Sequence, residues 1–233
     1  LAVRLNIHAN LGGYMAGVGP NMSTNNAVKN ITSVYRTPLI EINTKCVFTN
    51  TTVVSAYRGA GRPEANYYME RLVDLAARET GRDPIALRRL NLIPGSAMPF
   101  TSASGQAYDS GDFATVLDKC LTQADWQGFA ARQAASRAKG MLRGRGISAY
   151  LEATAPAGKE MGGVHFEDDG TVSLITGTQN YGQGHASAFA QVLCDQLGVP
   201  FESIRLLQGD SDELLAGGGT GGSRSIMASG AAI

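Results

Sequence analysis

Residues 56–62 read Ala-Tyr-Arg-Gly-Ala-Gly-Arg, between a β-rich run and a helix pattern that opens at Pro63. Two further stretches share that placement: Tyr-Gly-Gln-Gly-His at 181–185 and Gly-Gly-Gly-Thr-Gly-Gly-Ser-Arg-Ser at 217–225. Glycine-rich backbone at a helix start gathers N–H groups and the positive helix end around one point, a setting suited to an anion. Arg58, Arg62 and Arg224 add permanent charges with the fork geometry that fits phosphate or an oxo-anion. Gln183, held between Gly182 and Gly184, places a side-chain amide where neighbouring backbone can come close. No loop carries the Lys-[Ser/Thr] ending of a P-loop, and no G-x-G-x-x-G spacing has its downstream acidic residue. One such loop is as consistent with a plain turn, Arg58 and Arg62 with solvated charges, and His185 with an ordinary helix residue. Three in one chain, two of them with arginines, point to a large, multiply anionic ligand.

The elements that must carry these loops read as follows. Residues 1–8 and 38–48 read as strands, and Thr-Thr-Val-Val-Ser-Ala-Tyr continues β-like to the first loop. Residues 10–30 read as loop with a short helix. Residues 63–80 form an amphipathic helix pattern with Tyr67, Leu72, Leu75 and Ala76 on one face, ended by Gly81. Asp83-Pro84 opens a second, short helix. Residues 95–111 are turn-rich, and helices near 112–122 and 124–138 follow. Residues 144–154 and 162–177 read as antiparallel strands, with Asp169-Gly170 as a hairpin turn. A helix ending at Gly198, a strand over 202–210 and a small-residue helix from Ser223 complete the order. The expected fold class is α+β, mixed sheets with helices packed on them. The expected divisions are a first unit over 1–94, a connection over 95–139 and a second unit over 140–233.

Composition narrows the function classes. Hydrophobic residues are 43% and charged residues 17% of the 233, a globular balance that supports a sizeable core. Lys plus Arg and Asp plus Glu are 20 each, so no broad field marks a nucleic-acid or anionic-lipid partner. No apolar run approaches the roughly 18 residues of a membrane span. Cys46, Cys120 and Cys194 are scattered, which fits reduced thiols and a cytoplasmic setting, and with His8, His165 and His185 they give no zinc spacing. Glycine is 29 of 233, above the usual share of about 7%, and clusters in the three loops.

Three runs carry a specific resemblance. "SAYRGAGRPEANYYMERLVDLAARETGRDPIALRRLNLI", "GTQNYGQGHASAFAQVLCDQLGVPFESIRLLQGDSD" and "GTGGSRS" resemble, in order, segments of the molybdenum-binding large subunit of the xanthine oxidase family. The nearest branch is carbon monoxide dehydrogenase large-subunit-like. The resemblance implies the molybdenum cofactor-binding domain type of fold. It places Arg58 beside the molybdenum, with Gly59, Ala60, Gly61 and Arg62 around it. It gives Gly182, Gln183, Gly184 and His185 to the pterin or its phosphate side. Gly221, Gly222, Ser223, Arg224 and Ser225 go to the pyrophosphate and cytosine end of molybdopterin cytosine dinucleotide. No residue is a direct metal ligand.

The departures bear on substrate. Where carbon monoxide dehydrogenases carry a copper-binding cysteine, this chain has Gly59, so no copper is expected. Where xanthine dehydrogenases stack a Phe on the purine, it has Ala60, and an ungapped match puts Glu41 in place of a substrate-binding Arg. The family's glutamate base motif and upstream G-G-F-G-G-K loop are not in the chain, and Glu64, Glu152 and Glu160 do not replace that base. Leu1 lies in a strand-like run and Ile233 in an uncapped helix-like run, so the chain reads as a middle fragment, cut at both ends and inactive alone. The parent is expected to be a cytoplasmic molybdenum hydroxylase of a small molecule. Its partners would be an iron–sulfur small subunit with [2Fe–2S] centres and an FAD medium subunit, in a possible homodimer of the heterotrimer.

Overall fold

A computed structural model describes residues 2–154 and 159–233, so the expected strand start at Leu1 and part of the expected second unit lie outside the described residues. The fold is α+β, in two compact units, one running to Ala153 and the other from Thr154. Residues 95–139 and 140–153, expected as a connection and as the start of the second unit, belong to the first of these.

The first unit opens with β1 (Ala2–Asn10), which pairs in parallel with β2 (Leu39–Val47) from Ala2 opposite Leu39 to Asn10 opposite Val47. Alternation sorts the side chains. Leu5, Ile40 and Ile42 pack against Ala27, Ile31 and Ala65, while Arg4, Asn6 and His8 face out. The crossover is more helical than its Gly- and Asn-rich sequence implies: α1 (Gly19–Asn21), a π-helical turn (Met22–Asn26) and α2 (Ala27–Asn30) run end to end. Thr51 to Tyr57, expected to continue as strand, forms none. Its backbone bonds to a turn instead, with Val54 N–H donating to the Leu11 carbonyl at 3.2 Å and Gly13 N–H to the Thr51 carbonyl at 3.0 Å.

Next, α3 (Arg62–Glu79) ends against Gly81, and α4 (Pro84–Asn91) is capped by Asp83, whose Oδ2 accepts from Ala86 N–H at 2.7 Å. The buried face of α3 is not the expected one. Tyr67, Leu72 and Leu75 are exposed, and Ala65, Asn66, Met69, Glu70 and Ala77 point inward. The reason is a buried polar network. Arg88 of α4, 0% exposed, donates to Glu70 Oε2 from Nε at 3.0 Å and from Nη2 at 2.8 Å, and to Asp74 at 2.8 Å. Tyr35 donates its hydroxyl to the other Glu70 oxygen. Burial first, then Glu70 beside it, pushes the Tyr35 phenol well above its ordinary pKa.

A small hairpin follows, β3 (Phe100–Thr101) with β4 (Ala107–Tyr108), then α5 (Phe113–Gln123) and α6 (Phe129–Arg137). Residues 144–154 form no strand, contrary to their pattern. Several of their backbone groups meet side chains rather than a ladder. Ala149 N–H donates to Glu70 Oε2 at 3.0 Å, Leu151 N–H to Ser33 Oγ at 3.1 Å, and the Ile147 carbonyl accepts from Arg88 at 3.3 Å.

Among its described residues the second unit has one sheet of three strands. β5 (Gly162–Phe166) pairs antiparallel with β6 (Val172–Thr176) across the expected turn, where Gly170 holds φ +81°. After α7 (His185–Leu197), β7 (Ile204–Leu207) returns parallel to β6. Phe189 and Leu193 of α7 bury against Val172 and Leu174. The last helix, α8 (Ser225–Ala232), anchors through Ser229, whose Oγ lies 3.0 Å from Thr176 Oγ1 and 3.2 Å from Thr178 Oγ1.

Candidate functional site

The first loop, in the first unit, is a run of left-handed backbone: Arg58 φ +42°, Gly59 +76°, Ala60 +48° and Gly61 +95°. Only glycine takes such conformations without strain. Packing fixes the glycines as well. A Cβ at Gly61 would lie 1.8 Å from the Met22 carbonyl oxygen, and one at Gly59 would lie 2.5 Å from the Pro63 ring. These glycines serve the loop's own closure, rather than the approach of a ligand that glycine clustering alone would imply. Asn26 Nδ2 holds the Ala60 carbonyl at 2.9 Å. Arg62 is turned inward. Its Nη1 donates to the Gly59 carbonyl at 3.1 Å and stands 3.5 Å from Glu152 Oε1. Partial burial raises the Glu152 pKa, and Arg62 offsets part of that rise. Arg58 is exposed and is the loop's outward charge. Glu41 sits on the open face of β2, paired with Arg4 at 2.7 Å.

The second unit brings the other two loops together. Thr220 is the strap: its Oγ1 donates to the Gln179 carbonyl at 2.6 Å and accepts from Gln179 N–H at 3.0 Å. Gly177 and Gly217 approach so closely that a Cβ on Gly177 would lie 2.5 Å from the Gly217 Cα. Gly182, Gly184, Gly219 and Gly221 instead border open space, with none of the described residues within 4 Å of where a Cβ would stand.

Three residues outside the sequence-level site set use the loops' polar groups. Asn180 Oδ1 accepts from Gly182 N–H at 3.1 Å and Gly184 N–H at 3.2 Å. Glu160 takes Gly218 N–H at 3.1 Å. Gln208 reaches His185, as described below. Asn and Glu beside glycine-rich backbone were the available signal, since short acceptors there seek free N–H groups. Gln183 is also satisfied within its own loop, its Oε1 taking Tyr181 N–H and its Nε2 lying 3.4 Å from the Gln179 carbonyl.

What remains open defines the chemistry. Among the described residues neither α7 nor α8 has a side-chain cap at its N-cap residue, and apart from the Gly184 N–H taken by Asn180 the first-turn N–H groups of both helices meet no side-chain acceptor. A cavity of about 350 Å³ between them is lined by Gln183, His185, Phe189, Thr220, Ser223 and Ser225. His185 is 4% exposed, its ring 4.7 Å from that of Phe189, and burial lowers its pKa. Its Nε2 is a buried polar atom without a partner among the described residues. An orphaned buried nitrogen, two uncapped helix starts and open-sided glycines fit a phosphate-bearing ligand. Arg224 Nη2 stands 3.5 Å from the Gly218 carbonyl. No group of three or more His, Cys, Asp or Glu able to hold a metal occurs among the described residues. No described helix is long and apolar enough to cross a membrane.

Fold and loops thus define an α+β cofactor-binding architecture. Two family models, each described as "Molybdopterin cofactor-binding domain", match residues 1–92 and 119–233. The chain belongs to the molybdopterin cofactor-binding domains of the xanthine oxidase family's large subunits. It is 33% identical over its whole length to the carbon monoxide dehydrogenase large chain of Hydrogenophaga pseudoflava, of which it covers 31%. It is 32% identical over 87% of its length to the nicotine 6-hydroxylase large subunit of Paenarthrobacter nicotinovorans, of which it covers 26%. Among solved structures it is similar to a Cu,Mo-CO dehydrogenase, with TM-score 0.85, 27% identity and coverage of 100% of this chain and 32% of that one. Quinoline 2-oxidoreductase from Pseudomonas putida 86 also gives TM-score 0.85, at 28% identity, with 97% of this chain and 30% of that one covered. The chain therefore spans under a third of the length of these relatives.

Proposed function

We propose that this chain is the cofactor-holding part of a molybdenum hydroxylase large subunit that oxidises a C–H bond of a small molecule with oxygen from water. The observation that carries this reading is the cavity between the starts of α7 and α8, with His185 in its lining and His185 Nε2 without a partner among the described residues. The group held there is molybdopterin cytosine dinucleotide, which when bound supplies the two-electron redox centre. Gly182 to His185 take the pterin and phosphate side, and Gly221 to Ser225 the pyrophosphate and cytosine end. Arg58 is the positive charge beside the metal, on a loop that Gly59, Ala60, Gly61 and Arg62 keep rigid. Partner subunits carrying [2Fe–2S] centres and FAD accept the electrons, in the cytoplasm, in an assembly that pairs heterotrimers. The terms "large chain" and "large subunit" in the relatives' names support those partners.

On substrate, Gly59 supplies no thiolate for copper, and a Cβ there would crowd the Pro63 ring at 2.5 Å in a left-handed backbone, which supports a copper-free site. Ala60 offers no ring to stack on a purine. Relatives named for nicotine and quinoline fit a C–H next to a ring nitrogen. The test is expression of the full large subunit with its partners. Molybdenum analysis and release of CMP on acid denaturation should give one of each per subunit, and absence of both would sink the proposal.

A second reading, a folded module that holds no cofactor by itself, is favoured by the loop amides of Gly182, Gly184 and Gly218 being satisfied in-chain. Titrating the chain with isolated cofactor decides it: sub-micromolar binding refutes that reading.

A further inference from the structure

Gln208 follows directly on β7, and its side-chain amide meets two groups. Nε2 donates to the Thr178 carbonyl at 2.9 Å and stands 3.4 Å from His185 Nδ1. A carbonyl oxygen only accepts, so the amide group facing Thr178 is the NH2, whichever way the amide is drawn. An NH2 only donates, so the Nδ1 it faces must be an acceptor. With that pairing the imidazole hydrogen resides on Nε2 and the ring is neutral, because an imidazolium would set N–H against N–H. The Nε2–H that results is buried and has no acceptor among the described residues, while the ring helps line the cavity with Thr220, Ser223 and Ser225.

We propose that Gln208 is a positioning residue that locks His185 as the neutral Nε2–H tautomer, presenting one uncharged donor to an acceptor oxygen of a phosphate-type ligand in this cavity. The ligand class rests on the reading of the preceding subsection, whereas the tautomer rests on geometry alone. The arrangement follows a general pattern, in which the hydrogen bond at one ring nitrogen decides what the other can do.

The experiment is ¹⁵N-histidine labelling of the full chain, without cofactor, at pH 7.5. Long-range ¹H–¹⁵N correlations separate the tautomers of His8, His165 and His185, and a His185→Gln variant identifies the third set. The expected wild-type pattern for His185 is a protonated Nε2 and an unprotonated Nδ1. Gln208→Leu should give mixed tautomers, and Gln208→Glu should draw the hydrogen to Nδ1. Inorganic pyrophosphate should shift the His185 Nε2–H resonance and leave His8 unmoved. A wild-type Nδ1–H form, Gln208 variants with the wild-type pattern, or no response to pyrophosphate would each overturn the proposal. Since molybdenum and CMP content decide the cofactor reading separately, either idea can fail while the other stands.

Discussion

Replacing Arg88 by Met tests the network that holds the first unit together. The guanidinium is wholly buried and makes five hydrogen bonds: two to Glu70, one to Asp74, and one each to the Pro84 and Ile147 carbonyls. Met fills much of the volume, so the cost is electrostatic. Among the described residues Glu70, itself 6% exposed, is left with only the Tyr35 hydroxyl and Ala149 N–H as partners. Stranding one member of a buried pair costs about 3–5 kcal/mol. At a urea m-value of about 2 kcal/mol/M, that lowers the midpoint by about 2 M. Trp126, the chain's single tryptophan, packs on the same core cluster with the Arg145 guanidinium 4.0 Å from its ring centre, so its fluorescence reports this unit. The double variant Arg88→Met/Glu70→Leu leaves no fully buried charge stranded, since Asp74 is part-exposed, and should cost clearly less than the sum of the two single changes. A single-variant cost below about 1 kcal/mol, or strict additivity in the cycle, would refute the assignment of the network as the organiser of α3, α4 and residues 147–151.

Four further outcomes follow from the geometry. Tyr35 ionises far above the unfolded value of about 10, so its contribution is intact below that pH and is lost as pH rises past it; a Trp126-monitored midpoint unchanged between pH 9 and 11 would contradict this. Gly61→Ala drives a Cβ onto the Met22 carbonyl at φ +95° and should cost about 3 kcal/mol, so a neutral result in urea unfolding would show the loop to be differently closed. Gly59→Cys should destabilise by about 1–3 kcal/mol and retain no copper, and one Cu(I) per chain after gel filtration would overturn the copper-free reading. Thr220→Val removes the strap to Gln179 and should speed amide hydrogen exchange across 177–183 and 217–222, while exchange in β5 and β6 stays as it was.

Local sequence carried the caps and turns well. Asp83-Pro84, Gly81, Asp169-Gly170 and Gly198 act as their types require, because each effect is settled within a few residues. The strands of the second unit and α7 were legible for the same reason, as periodicity and an αL stop signal lie in one window. Two apolar runs misled. Residues 51–57 and 144–154 have strand patterns, but a pattern does not say whether a neighbour is there to pair with. The face of α3 misled too, since Glu70 and Asn66 are buried only because Arg88, Tyr35 and Asn30 come from elsewhere to meet them.

Short stretches and their order were enough to read the class of fold, the placing of three glycine-rich loops ahead of helices, and through their residues the resemblance to molybdenum-binding large subunits. What each polar group in the loops has left to give could be read from the folded chain alone. It showed Arg62 turned inward to Glu152, Gln183 closed on its own loop, and Gly59 and Gly61 needed for packing. It also showed His185 with one nitrogen beside Gln208 and the other without a partner among the described residues. Hydrogen-bond satisfaction depends on partners distant in sequence, such as Gln208 for His185 and Glu160 for Gly218, and no local pattern encodes that.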